Sequence, residues 1–256
     1  MKTTSDQWDV TSDRTTAATA RASRHPSLVT RHPFGFTLIE LLVVISIIGV
    51  LAALSIPVMG AVKAAQYKKV ARAELEQLET ALENYKAKYG AYPPSNKNPA
   101  GGSYDPLILN QLYYELSGVT RDASGDFTTL DGTATIKAQQ YKDAFGVGGV
   151  ENCTQGGGED GVSAKDFLPG LKQNRFYYPV TNEFNGDKVP TTVLVTSVGG
   201  PDDGYKPLGA SHLNPFRYNS TNPTNNPGSY DLWIDLRISG VTNRISNWSR
   251  QPQILK

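Results

Sequence analysis

An unbroken apolar stretch near the start of the chain is its strongest hydropathy feature. No charged residue occurs between Leu41 and Met59, and with the preceding turn the run comprises about 24 residues, or roughly 36 Å of helix. This length is enough to cross the hydrocarbon core of a bilayer, so the pattern predicts a membrane-spanning helix. A buried helix in the core of a soluble protein is the alternative. Pro57 lacks a backbone N–H, and we expect it to bend or loosen the helix.

The pattern becomes periodic beyond Gly60. Apolar residues recur at steps of three and four between Lys, Arg and Glu residues, at Leu75, Leu78, Leu82, Tyr85 and Tyr89. This spacing predicts an amphipathic helix with one face packed on a globular core. Gly90, followed by Pro93 and Pro94, predicts where the helix ends. The helix is therefore expected to have a membrane and assembly part, residues 36–60, and a stem, residues 61–90.

The sequence of residues 91–256 predicts a globular domain that begins with a helix. This helix is expected over residues 107–116, with one set of side chains buried: Leu109, Leu112, Tyr113 and Leu116. Residues 118–190 are rich in Gly, Thr, Asp and Asn, and we interpret them as a variable insertion with a short helix near residues 136–145. The glycines of residues 146–161 predict a mobile loop within it.

Two strand patterns occur late in the chain. Residues 191–198 are β-branched and mostly apolar, and residues 230–238 alternate, with apolar side chains on one face. We expect these two strands to pair in an antiparallel sheet. A stem helix followed by loops and then by C-terminal strands predicts an α+β fold, in which the long N-terminal helix packs on a small antiparallel sheet.

Composition and charge exclude several classes of function. The formal net charge is +1, which gives no indication of a nucleic-acid partner. The single cysteine, Cys153, excludes an intrachain disulfide. His212 lies in a predicted loop, and Asp202-Asp203-Gly204 has the composition of a turn, so neither belongs to a recognisable catalytic or zinc motif. We predict that the protein is not an enzyme.

The residues at the start of the apolar stretch form a specific motif. Gly35 is followed by Phe36-Thr37-Leu38-Ile39-Glu40, and the whole resembles the prepilin-type processing and methylation site of type IV pilins and type II secretion pseudopilins. The resemblance implies that a prepilin peptidase removes residues 1–35 as a leader, cuts between Gly35 and Phe36, and methylates Phe36 as the new terminus. The chemistry agrees, because a glycine before the cut presents no side chain to obstruct the peptidase.

Glu40 places one carboxylate at the mouth of the apolar helix. An ionised carboxylate at bilayer depth is costly, so it needs a partner or a function. Cleavage before Phe36 would create an α-amino group, whose reference pKa of about 7.7 to 8.0 makes it largely cationic near neutral pH. We therefore predict that Glu40 pairs with the Phe36 amine of a neighbouring subunit, and that Phe36, Glu40 and Pro57 are assembly residues. The alternative is that Glu40 points to the lipid headgroups without a specific partner.

Three segments near the C-terminus also resemble major-type pseudopilins: Asn214-Pro215-Phe216-Arg217-Tyr218, Tyr230-Asp231-Leu232-Trp233 and Ile245-Ser246-Asn247-Trp248. In many members of that family a calcium-binding loop follows the Tyr-Asp segment, which makes Asp231 and Asp235 candidate calcium ligands. The acidic, glycine-rich loop of the family is missing here, and Arg237 adds a cation. The alternative is a solvated strand face that carries Asp231, Trp233, Asp235 and Arg237 with an ion pair. No other cofactor is expected.

The resemblance implies a structural subunit of a type II secretion pseudopilus, polymerised through its N-terminal helix. The expected partners are copies of itself, other pseudopilins, prepilin peptidase, the inner-membrane assembly platform and membrane lipid, with no nucleic acid. Two alternatives remain: a type IV pilin, major or minor, used in adhesion, motility or DNA uptake, and a monomeric membrane-anchored binding module.

Basic residues flank the apolar stretch on both sides and do not determine its orientation. Arg21, Arg24 and Arg31 precede it, and a second group follows it: Lys63, Lys68, Lys69 and Arg72. The resemblance implies a single-pass protein of the bacterial inner membrane, with a cytoplasmic N-terminus and a periplasmic C-terminal domain.

Overall fold

A computed structural model of the protein describes most of the chain after residue 34. The described residues are 35–97, 104–154, 163–173, 176–184, 187–199 and 202–255, and the side chains of residues 55–59 and 184 lie outside the description. The predicted leader, apart from Gly35, is therefore not among the described residues. The chain forms two compact units, Met1–Ala52 and Ala53–Lys256.

Helix α1 (Leu38–Tyr89) begins with the apolar stretch. In the first unit the large apolar side chains of the helix are exposed. Further along, in the second unit, the backbone is also helical at Pro57, whose side chain lies outside the description. In the part of the chain that the structure describes, no helix combines the length and the apolar character needed to cross a membrane. The span predicted between Leu41 and Met59 is not confirmed and stays a prediction.

The stem part of α1 supplies one side of the core of the second unit. Its buried side chains follow the predicted spacing: Ala71, Leu75, Leu78, Ala81, Leu82 and Tyr85. Burying a leucine stabilises a fold by about 1.5–3 kcal/mol relative to leaving it exposed, so this stripe fixes the stem to the domain. The helix ends as predicted, because Gly90 takes a φ of +80° and its N–H donates to the carbonyl oxygen of Lys86 at 2.7 Å.

Helix α2 (Leu112–Ser117) is shorter than the helix predicted over residues 107–116. Side-chain hydrogen bonds replace its first turns, because such bonds compete with helix formation. Asn110 Nδ2 donates to the carbonyl oxygens of Leu107 and Phe216, both at 2.9 Å, and so fastens this turn to the C-terminal part of the domain. The predicted buried side chains are confirmed: Leu109, Leu112, Tyr113 and Leu116.

The predicted insertion, residues 118–190, contains more regular structure than its composition indicates. Helix α3 (Ala138–Phe145) matches the predicted short helix. A sheet of order β3-β2-β1-β4 is made of β1 (Val119–Arg121), β2 (Phe127–Thr129), β3 (Thr135–Ile136) and β4 (Cys153–Thr154). Strand β1 pairs with β2 antiparallel and with β4 in parallel. Strands of two or three residues are too short to show alternation in the sequence, so the prediction missed them.

The glycine-rich segment predicted as a mobile loop, residues 146–161, is only partly described. Its described part leads into β4, where Cys153 is buried. Residues 155–162 lie outside the described residues, so the loop prediction is not tested there.

The remaining strands that the structure describes form two antiparallel sheets. Strands β5 (Tyr177–Phe184) and β6 (Asp187–Leu194) form a hairpin. The other sheet has the order β10-β9-β8-β7 and is made of β7 (Arg217–Asn219), β8 (Asp231–Ile238), β9 (Val241–Ser246) and β10 (Ser249–Leu255). The predicted pairing of residues 191–198 with residues 230–238 is therefore wrong. Each strand of these two sheets pairs with a strand next to it in sequence, because closing a short loop costs less conformational entropy.

The α+β class is confirmed by these elements. Within the described residues the strands form three sheets, whereas the sequence predicted one small sheet. An N-terminal helix followed by antiparallel sheets is compatible with a pilin-like fold, which stays a prediction.

Candidate functional site

The predicted cleavage site lies just before α1. Gly35 and Phe36 are both exposed, and Phe36 has 82% of its surface accessible. A Cβ added at Gly35 would meet no atom within 4 Å, so the fold itself does not demand a glycine at this position. The geometry is compatible with processing between these two residues, and processing itself stays a prediction.

Thr37 and Glu40 form a reciprocal cap on the first turn of α1. The backbone N–H and the hydroxyl group of Thr37 both donate to Glu40 Oε2, each at 2.8 Å. The backbone N–H of Glu40 donates in return to Thr37 Oγ1 at 3.3 Å. This capping box satisfies N–H groups that a helix N-terminus otherwise leaves without partners. The sequence prediction missed it, although Thr37-x-x-Glu40 is its signature.

The cap gives Glu40 a partner within its own chain. A carboxylate in the first turn also interacts favourably with the helix dipole, by about 0.3–1 kcal/mol. Because the N–H of Thr37 is bonded to this carboxylate, the backbone nitrogen of Phe36 is one residue away from the bonded position. A cut before Phe36 would therefore create the new amine close to a carboxylate that the helix holds in place.

The capped turn borders a shallow apolar groove in the first unit. Phe36, Ile39, Val43 and Val44 line the groove together with Glu40, and its volume is about 300 Å³. Exposed apolar side chains continue along the helix to Leu51. An exposed apolar surface of this extent is typical of a surface that contacts protein or membrane.

Asp231, the first calcium candidate, anchors the loop before β8. Its carboxylate is 2% exposed and accepts backbone N–H bonds from three consecutive residues, Thr224 at 2.8 Å, Asn225 at 3.0 Å and Asn226 at 2.9 Å. Burial acts to raise the pKa of Asp231, but the hydrogen bonds, led by those from Asn225, hold its pKa below the usual value. The charge is thus stabilised by the loop that surrounds it.

Asp235, the second calcium candidate, pairs with arginines on both neighbouring strands. Arg244 lies opposite on β9 and donates through Nε at 2.8 Å and through Nη2 at 2.9 Å, and Arg217 on β7 lies at 3.7 Å. Asp235 is 7% exposed and Trp233 is 9% exposed, so the alternative of a solvated strand face is wrong. The expected ion pair exists, but its cation is Arg244, and Arg237 pairs elsewhere.

These contacts leave little room for a calcium ion at the two candidate ligands. Calcium needs six to eight oxygen ligands, whereas N–H groups occupy both oxygens of Asp231 and both oxygens of Asp235. Among the described residues, no group of three or more His, Cys, Asp or Glu side chains is placed to hold a metal. The donor set of these two aspartates therefore does not fit a calcium ion.

The side chains that the sequence offered as possible nucleophiles or acid–base groups lie in a strand or in turns. Burial raises the pKa of the Cys153 thiol, which lies inside β4. His212 Nε2 lies 3.1 Å from Asp203 Oδ1, and both side chains are mostly exposed. Asp202 Oδ1 accepts the backbone N–H of Gly204 at 3.0 Å, which confirms the predicted turn.

A buried acid that the sequence prediction missed joins the stem to the insertion. Glu115 on α2 is 0% exposed, and its carboxylate accepts the hydroxyl of Tyr85 at 2.8 Å and the backbone N–H groups of Glu151 at 3.1 Å and Asn152 at 3.2 Å. Burial raises the pKa of Glu115 to about 7, and these hydrogen bonds oppose the increase. Tyr89 also donates to Asn152 Oδ1 at 2.6 Å, so one stem tyrosine contacts this segment directly and Tyr85 contacts it through Glu115.

Comparisons with known proteins agree with the N-terminal motif. Residues 31–56 match the family described as the prokaryotic N-terminal methylation motif. The type II secretion system core protein G of Escherichia coli (strain K12) is 44% identical over 63 residues, which is 25% of this chain and 43% of that protein. The match therefore spans less than half of the relative's own length. No solved structure matches the chain.

These findings confirm the resemblance to type II secretion pseudopilins that the sequence motifs carry.

Proposed function

We propose that the protein is a structural subunit of a type II secretion pseudopilus. A prepilin peptidase cuts it between Gly35 and Phe36 and methylates Phe36, and the processed chain polymerises through α1 with copies of itself and other pseudopilins on an inner-membrane platform. It is a single-pass protein with a periplasmic domain. The observation that carries the proposal is the Thr37–Glu40 cap at the head of an exposed apolar helix, within a methylation motif.

The geometry of the cap supports pairing between subunits. Both Thr37 donors bind Glu40 Oε2, and Oε1 accepts no hydrogen bond from the residues that the structure describes. A carboxylate has about four lone-pair sites, so Oε1 remains available for the Phe36 ammonium group of a neighbouring copy. The cap fixes the position of Glu40, and the charge of Glu40 selects the register of the next subunit.

Processing is tested by mass spectrometry of the protein extracted from membranes of a bacterium with an active prepilin peptidase. We expect a mature N-terminus at Phe36 that carries one methyl group. Gly35→Val should abolish the cut, because the added side chain obstructs the scissile backbone. Gly49→Ala is the matched control, since a Cβ there also meets no atom within 4 Å. An intact leader on the wild-type chain would refute the proposal.

Assembly is tested with two variants that separate charge from capping. Glu40→Gln keeps a side chain that can complete a capping box but removes the charge, whereas Thr37→Val keeps the charge and removes the hydroxyl. Pairing with an amine predicts that Glu40→Gln loses filaments and Thr37→Val retains them with a helix start weakened by about 1 kcal/mol. The reverse result would show that capping, and not pairing, is the role of Glu40.

The secretion role is tested by deleting the gene. Loss of exoprotein release with unchanged surface pili is the expected result. Loss of surface pili with normal release would assign the chain to a type IV pilus instead.

A further inference from the structure

A basic groove lies between the stem of α1 and strand β10 in the second unit. Its volume is about 260 Å³. Four cations and one carboxylate line it together with apolar side chains; the charged residues are Lys68, Lys69, Arg72, Arg250 and Glu76. The groove therefore concentrates positive charge in a chain whose formal net charge is only +1.

Arg72 is fixed in the wall of this groove. Its Nη1 donates to the carbonyl oxygen of Ser246 at 2.7 Å, and its Nη2 donates to that of Ser249 at 2.6 Å. Arg250 follows Ser249 directly, so the same contact brings Arg250 beside the stem. Arg72 and Ser249 are 177 positions apart in the sequence, and the tertiary structure alone assembles this group of cations.

Two carboxylates only partly balance these cations: Glu76 lines the groove, and Glu79 interacts electrostatically with Arg72. The four basic side chains form no ion pair with any residue that the structure describes. Three other arginines of the same domain each pair with an aspartate: Arg217, Arg237 and Arg244. Gathered like charges repel one another and oppose folding, so the arrangement is suited to an anion supplied from outside the chain.

The sequence places this groove directly after the proposed membrane segment. Lys63 follows Met59, the last residue of the apolar stretch, by four positions, and Lys68 follows it by nine. Basic clusters next to a membrane segment attract anionic lipid headgroups, and guanidinium groups match the geometry of phosphate oxygens. We propose that the groove binds the phosphate headgroup of an anionic phospholipid. This inference rests on the proposed membrane anchorage.

Such binding gives a role to basic residues that do not determine the membrane orientation. The aliphatic stems of Lys68 and Lys69 and the ring of Pro252 supply apolar contact for the glycerol region, while the charged ends reach the phosphate. Held in this way, the domain keeps its stem next to the membrane surface before it enters a filament.

The experiment measures lipid binding by the full-length protein in a non-ionic detergent. Dioctanoyl phosphatidylglycerol is titrated while the thermal unfolding midpoint is followed, with dioctanoyl phosphatidylcholine and inorganic phosphate as parallel ligands. The test variant is Lys68→Gln/Lys69→Gln/Arg250→Gln, which leaves the structural Arg72 in place. The control variant is Lys142→Gln/Lys188→Gln/Lys206→Gln, which removes three exposed cations elsewhere in the domain. Circular dichroism verifies that both variants are folded.

We expect the wild type and the control variant to bind phosphatidylglycerol equally and in preference to the other two ligands. The test variant should bind about fivefold more weakly per cation removed, or on the order of 100-fold in total. Equal affinities of the test and control variants would overturn the proposal. Equal binding of phosphatidylcholine would show that the groove does not recognise the net negative charge of the headgroup. Equal binding of inorganic phosphate would show a free-anion site, and an absence of any lipid effect would leave the groove to an acidic protein segment. Each of these results overturns the proposal.

The outcome is separable from that of the proposed function. An intact leader on the protein from membrane extracts would refute the pseudopilin proposal. Binding of phosphatidylglycerol by that same protein would still support the proposed lipid site in the groove. Normal processing and assembly without lipid preference would refute the groove alone.

Discussion

The buried carboxylate of Glu115 predicts an unusual pH dependence of folding stability. Glu115 is 0% exposed, and burial raises its pKa from 4.5 to about 7 although Asn152, Glu151 and Tyr85 donate hydrogen bonds to it. The folded protein therefore holds this proton more tightly than the unfolded chain does. The resulting stabilisation is fully present below pH 4.5 and is lost as the pH rises through about 7.

The magnitude follows from the size of the pKa shift. One pKa unit corresponds to about 1.36 kcal/mol, so a shift from 4.5 to about 7 corresponds to roughly 3 kcal/mol. No reduction for solvent screening applies, because the carboxylate is fully buried. A loss of this size is a substantial fraction of the roughly 5–15 kcal/mol by which whole domains are typically stable.

Urea unfolding of the detergent-solubilised full-length protein measures the effect. The free energy of unfolding is determined for the wild type and for Glu115→Gln from about pH 4 to about pH 8. Glutamine has the same size but no charge, so its own pH dependence reports all the other titrating groups. We expect the wild-type value minus the Glu115→Gln value to fall by about 3 kcal/mol across this range.

A pair of tyrosine variants tests the cause of the effect. Tyr85→Phe removes a donor to the ionised carboxylate, so it should destabilise the protein more at about pH 8 than at about pH 4, by about 1 kcal/mol. Tyr218→Phe is the matched control, because its buried hydroxyl donates to the neutral carbonyl oxygen of Pro93 at 2.7 Å. Its effect should not depend on pH. A difference between wild type and Glu115→Gln that stays flat or rises with pH would refute the reasoning.

Three further predictions concern the second unit. Arg244→Met should destabilise the fold by about 3 kcal/mol, because it leaves Asp235 buried beside a single, more distant arginine. Arg237→Met breaks a more exposed pair and should cost less than about 1 kcal/mol. Urea unfolding measures both variants, and equal losses of stability would contradict the argument from burial. Leu82→Ala should cost about 2–5 kcal/mol in the same assay, and Leu130→Ala, at a side chain that is 41% exposed, should cost far less. Chelation should leave the thermal midpoint unchanged, and a midpoint that falls with EDTA and recovers with calcium would show that the aspartates bind the ion.

Much of the helical architecture was predictable because its signals are local. The spacing from Leu75 to Tyr89 and the glycine after it predicted the stem and its end, since each residue acts on neighbours within one or two helical turns. The sequence also contained the capping box at Thr37 and Glu40, but the prediction treated Glu40 as a membrane charge and overlooked its local partner.

The strand pairings and the C-terminal block were not predictable to the same degree. The alternation of residues 230–238 predicted a strand, with a solvated polar face as one of two alternatives. In the structure the loop before β7 covers that face, because Arg217 donates to the hydroxyl of Tyr205 at 2.6 Å and Arg237 pairs with Asp202 at 3.4 Å. A period of two identifies the two faces of a strand, but it does not identify what packs on either of them.

The sequence by itself determined the features that depend on neighbouring residues: the long helix and its end, the α+β class, the processing motif and the lack of a recognisable catalytic constellation. The tertiary structure alone decided which strands pair, that Asp231 and Asp235 are buried with N–H and guanidinium partners, that Glu115 lies in the core, and that Arg250 joins the basic residues of the stem. The physical reason is distance along the chain. Burial and charge pairing depend on contacts such as that between Arg72 and Ser249, 177 positions apart, and no local pattern encodes such contacts.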